Sequence, residues 1–321
     1  MMTSDEIRFD GKAIVVTGAG RGMGRDHALL LASRGARVVV ADNGSAMDGS
    51  ASGAGPAESV VAEITDAGGT AVPCTADLST EEGSAAAVQA AIDAFGRVDC
   101  ILHNASTSPN LHSPDQVPTD QLDLVMRINA YAGFWLTRAA WPHMKEQGGG
   151  RIVYVASHSI YGVAGSAPYA SAKSAYIGMA RSFAPEGASL NILCNVIMPT
   201  ARTRMTERMP ASDYADWLWE TMDPTKVAFG AAYLLSDECQ IYGEMFSVGG
   251  GRIARIRLAE SSGVMGPGDS IEKMRDAFAT VMTQSDHIFP RDQQERVSIV
   301  HPKMGFSGTL REDAYAVKDV T

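Results

Sequence analysis

Short apolar blocks alternate with amphipathic stretches along most of the chain. Residues 13–16, 36–41, 71–75, 100–103, 151–156, 192–197 and 245–248 read as strands, several of them apolar on both faces. Between them, apolar residues recur every three or four positions. That spacing predicts a helix through Leu29–Ala32 and helices over 58–67, 81–95, 120–129, 132–147 and 169–184. Pro185 should end or kink the last of these. Strand–helix alternation of this kind predicts an α/β fold, a doubly wound parallel sheet, in one domain over 1–251 with an extension over 252–321. Such sheets bind ligands beyond the carboxyl ends of their strands. Asp42, Asp77, Asn104, Ser157 and Pro199 all fall at such ends.

The first strand runs directly into Thr17-Gly18-Ala19-Gly20-Arg21-Gly22-Met23-Gly24 and then into a helix. Strand, glycine turn and helix form a Rossmann-type site for a dinucleotide. Gly18 allows the tight turn, Gly22 lets the backbone approach a pyrophosphate, and Gly24 lets the helix lie on the sheet. Asp42 ends the second strand. A carboxylate there bonds a ribose 2′-hydroxyl and repels a 2′-phosphate, which favours NAD over NADP. Arg21 argues the other way, because it could meet a 2′-phosphate. The acidic residue decides the expectation for NAD.

Tyr169 and Lys173 are four residues apart, so on a helix they share one face. At roughly 4 Å and an effective dielectric of about 20, an ammonium favours a phenolate by about 4 kcal/mol. The expectation is a phenol that exchanges protons near neutral pH.

Charge and composition narrow the class. A net charge of −10 argues against nucleic acid and against an anionic membrane surface as partners. Hydrophobic content of 45% suffices for a large core. The cysteines at 74, 100, 194 and 239 show no CxxC pairing, and the seven histidines no ligand spacing. These patterns predict reduced thiols, a cytoplasmic location and no catalytic metal. No apolar segment at the N-terminus reads as a signal peptide or membrane span.

In order along residues 8–251, these motifs resemble those of the short-chain dehydrogenase/reductases. Residues 17–24 match that family's TGxxxGxG loop, and Asp77-Leu78 match its adenine-holding pair. His103-Asn104-Ala105-Ser106 stands where the family has NNAG, so His103 and Ser106 depart from the pattern. Asn129, Ser157, Tyr169 and Lys173 match its catalytic set, and Pro199-Thr200 replace the PG that opens the nicotinamide-facing loop. Ser157 lies one residue nearer Tyr169 than the family's serine. Ser159 is a rival, but Ser157 directly follows the strand over 151–156.

Within the family the chain is most similar to the dehydrogenase unit of type 2 peroxisomal multifunctional enzymes, also called 17β-hydroxysteroid dehydrogenase type 4. Four stretches carry that likeness: 8–12, the Gly/Ser-rich insertion 43–57, 156–162, and 204–210 continuing to 243–249. The resemblance implies reversible oxidation of a secondary alcohol such as a (3R)-hydroxyacyl-CoA. A steroid, a cyclic alcohol or an acyl-carrier-protein thioester is the alternative substrate, and a non-catalytic cofactor-binding regulator the alternative role. It also implies that Asn129 holds a water linking Lys173 to solvent, and that Lys173 holds the nicotinamide ribose.

Residues 200–223 should form a substrate lid, with Met205, Met209, Trp217 and Trp219 offering apolar surface to a lipophilic substrate. Arg202, Arg204 and Arg208 either meet acyl-CoA phosphates or form a solvated face. In the extension, an amphipathic helix over 271–282 should be capped by Asp269. Residues 283–321 read either as an arm or as a loose terminus. Small residues crowd the helices over 120–147 and 169–184, and the resemblance implies that these pair across a two-fold axis into a homodimer or homotetramer.

Overall fold

A computed structural model describes residues 6–308 apart from 47, 49, 51–54, 109–110, 205, 267–269 and 306. Two compact units divide at Arg255, residues 1–255 and 256–321.

The first unit is built on seven parallel strands: β1 (Ala13–Thr17), β2 (Arg37–Ala41), β3 (Thr70–Cys74), β4 (Cys100–His103), β5 (Gly150–Val155), β6 (Ile192–Thr200) and β7 (Met245–Gly249). They lie in the order 3-2-1-4-5-6-7, with β8 (Arg252–Ile256) added beside β7. Gly250 and Gly251 join β7 to β8 with φ of 58° and 85°, the left-handed geometry a two-residue hairpin needs. Strand order reverses between β1 and β4, and the crevice at their carboxyl ends is where a ligand fits. The central strands β1, β4 and β5 are buried along their whole length, as their largely apolar runs favour, with Thr17, His103 and Arg151 buried among them.

Helices cover both faces. α1 (Gly22–Ser33), α2 (Pro56–Asp66) and α8 (Thr225–Leu235) pack together against one face. On the other lie α3 (Glu81–Phe95), α4 (Thr119–Met126), α5 (Ala132–Glu146) and α6 (Ala167–Ala188). α7 (Asp213–Thr221) follows β6 within the segment 201–223. The predicted helix over 120–129 is interrupted: Arg127–Tyr131 form a π turn joining α4 to α5. Wide turns of this kind often mark functional sites, and Asn129 sits in it. α6 does not end at Pro185 but runs on to Ala188. The lost hydrogen bond is tolerated because the last turn is pinned to the sheet. A Cβ on Gly187 would come within 2.1 Å of the Ile192 carbonyl oxygen.

In the second unit β9 (Glu260–Ser261) pairs antiparallel with β10 (His287–Ile288), and α9 (Ile271–Val281) and α10 (Gln293–Val300) follow the two strands. Ser270 caps α9, accepting from Lys273 N at 3.2 Å, whereas Asp269 lies outside the described residues. Arg296 holds Glu260 through a two-pronged ion pair, and β10 and α10 give 287–300 regular structure that its sparse apolar pattern did not announce. Among the described residues no helix is long and apolar enough to cross a membrane.

Candidate active site

The glycine loop is shaped by close approach. A Cβ on Gly24 would stand 2.0 Å from the Gly18 carbonyl oxygen, so α1 can lie this close only with glycine there. Gly18, at φ 63°, faces the backbone of Ala105: a Cβ would be 2.7 Å from its Cα. Gly22 is different. Its φ is 52°, yet a Cβ would meet nothing within 4 Å. That open side, at the N-terminus of α1, is the cradle a pyrophosphate fits. Asp42 accepts from Gly20 N at 2.9 Å and from Gly44 N at 2.8 Å. Its carboxylate therefore ties the glycine loop to the insertion and keeps lone pairs for a ribose.

The neighbouring loops are tied in the same way. Thr80 caps α3 by accepting from Gly83 N, and a Cβ on Gly83 would strike the Asp77 carbonyl at 2.0 Å. The glycine thus lets α3 brace Asp77-Leu78 from behind. Asn104 donates to the carbonyls of Thr17 and Gly18.

These loops enclose a cavity of about 370 Å³. Gly18, Arg21, Gly22, Met23, Asp42, Asp77, Leu78, Asn104, Ala105 and Ser106 line one part, and Ser157, Tyr169, Lys173 and Pro199 another. Gly24 and Thr200 do not line it. Gly24 acts by letting α1 approach, and Thr200 lies opposite Gly249 in the β6–β7 ladder. Ser159 is absent from the lining and its buried hydroxyl has no partner, whereas its amide donates to Ser157 Oγ at 3.1 Å. The geometry thus favours Ser157. Sequence reading missed Leu124 and Ile128, which add apolar surface to the wall, while Thr203 and Thr206 come from the expected lid segment. Leu124 and Ile128 carry no motif, and α4 with the π turn brings them there.

Lys173 is 1% exposed and its Nζ donates to the Val155 carbonyl at 2.8 Å. It lies 5.8 Å from the Tyr169 ring centre and 5.2 Å from that of Tyr176, within range of cation–π attraction. Burial pushes Lys173 down to about 7. Burial also raises the Tyr169 phenol above its ordinary value, while the Ser106 and Ser157 hydroxyls pull it back. The expected lowering of Tyr169 is therefore not what this arrangement gives: burial of the phenol dominates its shift. The buried Asn129 side chain clamps the Thr107 backbone, accepting from its N–H at 2.9 Å and donating to its carbonyl at 2.6 Å.

Past β6, Arg204 lines the cavity, while Arg202 sits over Trp219 at 5.9 Å from the ring. Trp217 and Trp219 are half exposed. Met205 and the Arg208 side chain lie outside the described residues. Among the described residues no cluster of His, Cys, Asp and Glu has the arrangement of a metal site.

The sequence pattern of the short chain dehydrogenase family matches residues 12–213. The chain is 37% identical over 91% of its length to peroxisomal multifunctional enzyme A of Dictyostelium discoideum, and spans 65% of that protein. Among solved structures it resembles the full-length peroxisomal multifunctional enzyme type 2 of Drosophila melanogaster, with a TM-score of 0.75 and 31% identity, over 93% of this chain and 50% of that one. It also resembles a 7α-hydroxysteroid dehydrogenase complexed with NADH and 7-oxo glycochenodeoxycholic acid, with a TM-score of 0.68 and 29% identity, over 78% of this chain and 98% of that one. The glycine loop, the parallel sheet and the matched pattern agree: the chain belongs to the short-chain dehydrogenase family of oxidoreductases.

Proposed function

We propose that this protein is an NAD-dependent dehydrogenase that interconverts a secondary alcohol and a ketone on a lipophilic substrate such as a (3R)-hydroxyacyl-CoA. The observation that carries the reading is the convergence of Ser157, Tyr169 and Lys173 in the cavity that the glycine loop also lines. The nicotinamide cofactor supplies the hydride acceptor. Gly18, Arg21, Gly22 and Met23 would hold its pyrophosphate, Asp42 its ribose, and Asp77 and Leu78 its adenine. Asn104, Ala105, Ser106, Pro199 and Thr200 would border the rest, Thr200 from behind.

Tyr169 takes the hydroxyl proton of the alcohol or returns it to the ketone. Ser157 donates to the substrate oxygen as charge develops there. Lys173 holds the ribose and supplies positive charge beside the phenol. Burial disfavours both the phenolate and the ammonium, so the pair gains most when a polar cofactor ribose meets Lys173. Asn129 fixes the π turn and the loop at Thr107 that faces the cavity, and the turn is where a water linking Lys173 to solvent would sit.

The names of the multifunctional relatives and the apolar wall at Leu124 and Ile128 support an acyl-chain substrate, with Arg204 placed for a phosphate. The steroid dehydrogenase likeness supports a steroid as the second reading. Asp42 supports NAD over NADP. Four free cysteines support a reducing compartment such as the cytoplasm.

Homodimer or homotetramer formation is part of the proposal. Ala130, Ala132, Ala140, Ala172 and Ala180 are buried within the protomer. The exposed Tyr131 and Phe134, with Gly178 on α6, would therefore make the contact.

Tyr169→Phe tests the chemistry. It should lower kcat by about a thousandfold or more while leaving NADH affinity within a few-fold. A variant that keeps most of its turnover overturns the assignment.

A further inference from the structure

His103 stands where the family resemblance places asparagine, and it is completely buried. Its Nδ1 lies 2.8 Å from Thr17 Oγ1. That same oxygen accepts from Asn104 N at 3.1 Å and from Ala105 N at 3.0 Å. A threonine hydroxyl has two acceptor sites and one proton. Both acceptor sites are used, so the proton goes to His103 Nδ1. The imidazole must therefore be neutral and carry its own proton on Nε2.

We infer that His103 is a positioning residue for the cofactor: by accepting a hydrogen bond from the Thr17 hydroxyl it aims that oxygen's lone pairs at the amides of Asn104 and Ala105, and so fixes the loop that faces the glycine turn. The inference rests on the proposed dinucleotide site.

Three further observations fit. The loop has little slack, because a Cβ on Gly18 would strike Ala105. Nε2 makes no hydrogen bond among the described residues, so the contact to Thr17 is the ring's one side-chain tie. The space for a ring is prepared. It packs edge-on to Tyr176 at 5.6 Å, and a Cβ on Gly133 would come within 2.8 Å of Tyr176 and 3.2 Å of His103 Cδ2. Burial and nearby Lys173 hold the imidazole at about 3, so it stays neutral at any working pH.

The test is NADH affinity by fluorescence titration, with thermal melting on the same samples. Asn places its carboxamide oxygen near the Nδ1 position and keeps the acceptor, whereas Leu does not. His103→Leu should weaken NADH binding about tenfold and raise the KM for NAD, with kcat changed less than twofold. His103→Asn should bind within about twofold of wild type. Thr17→Val should weaken binding at least as much as His103→Leu, because it also removes the acceptor of the Asn104 and Ala105 amides, and the double variant should be no worse than Thr17→Val alone, because the His103 contact is already gone. If His103→Leu fails to fold, Thr17→Val set against Thr17→Ser carries the comparison, with only the serine variant retaining affinity. Folded His103→Leu or Thr17→Val with wild-type affinity overturns the inference. Wild-type protein that binds no NADH overturns the dinucleotide reading beneath it.

Discussion

The cofactor side of the cavity and the segment after β6 are built by different means. Around the cofactor, backbone meets backbone. Gly18, Gly24 and Gly83 sit where a single methyl group would collide, and Asp42, Asn104 and Thr17 tie one loop to the next. The segment 201–223 presents more of its side chains, with Trp217 and Trp219 half exposed on a short helix and Arg202 lying over Trp219. The first construction tolerates almost no change and suits a ligand shared by many enzymes. The second can change residue by residue, which suits a substrate that differs among relatives.

Gly24→Ala attacks the first construction hardest. Its methyl group would be driven against the Gly18 carbonyl, so the variant should lose several degrees in Tm and bind no measurable NADH. Gly22→Ala sharpens the point, because there the methyl group points into open space at φ 52°. It should lose binding with a smaller fall in Tm, since strain at one residue costs about 1–2 kcal/mol. Equal melting temperatures for the two would break the distinction between packing glycine and cradle glycine.

Asp42→Ala should reduce the NAD over NADP ratio of kcat/KM by about tenfold or more. It removes both the ribose acceptor and the charge that repels a 2′-phosphate. A wild type that prefers NADP would show Arg21 prevailing.

Acid should act on the cofactor side. His27 in α1 is fully buried with neither ring nitrogen bonded, and burial holds it at about 4. The folded value is depressed, so the unfolded chain binds the extra proton between about pH 6.5 and 4. Stability should be full above that window and fall as pH drops through it, by up to about 3 kcal/mol. Urea melts of His27→Leu against pH should show a shallower acid limb, and parallel limbs would contradict the burial argument. The smallest effect on stability belongs to Trp217→Ala, within about 1 kcal/mol of wild type, with a KM that rises most for the longest acyl chain.

How much of this was legible follows the same division. Apolar runs announced β1 and β4 because buried parallel strands leave no polar face. The glycine spacing announced the tight turn and the close approach of α1, because a Cβ at Gly18 or Gly24 would collide with backbone. α6 ran past Pro185 because Gly187 docks on β6, a long-range contact that local propensity does not see. Leu124 and Ile128 were invisible as cavity walls, since their placement depends on a π turn with no sequence signature. The direction of the Tyr169 shift was misjudged because spacing reports proximity but not burial, and here burial dominates.

NADH formation at 340 nm tests the central claim most directly. Wild-type protein is mixed with NAD and, in separate reactions, (3R)- and (3S)-hydroxyacyl-CoAs, hydroxysteroids and small cyclic alcohols. The account predicts turnover with the (3R)-hydroxyacyl-CoAs and far less with their (3S) counterparts. Tight NADH binding with no turnover on any of these alcohols would contradict it and leave a cofactor-binding regulator in its place.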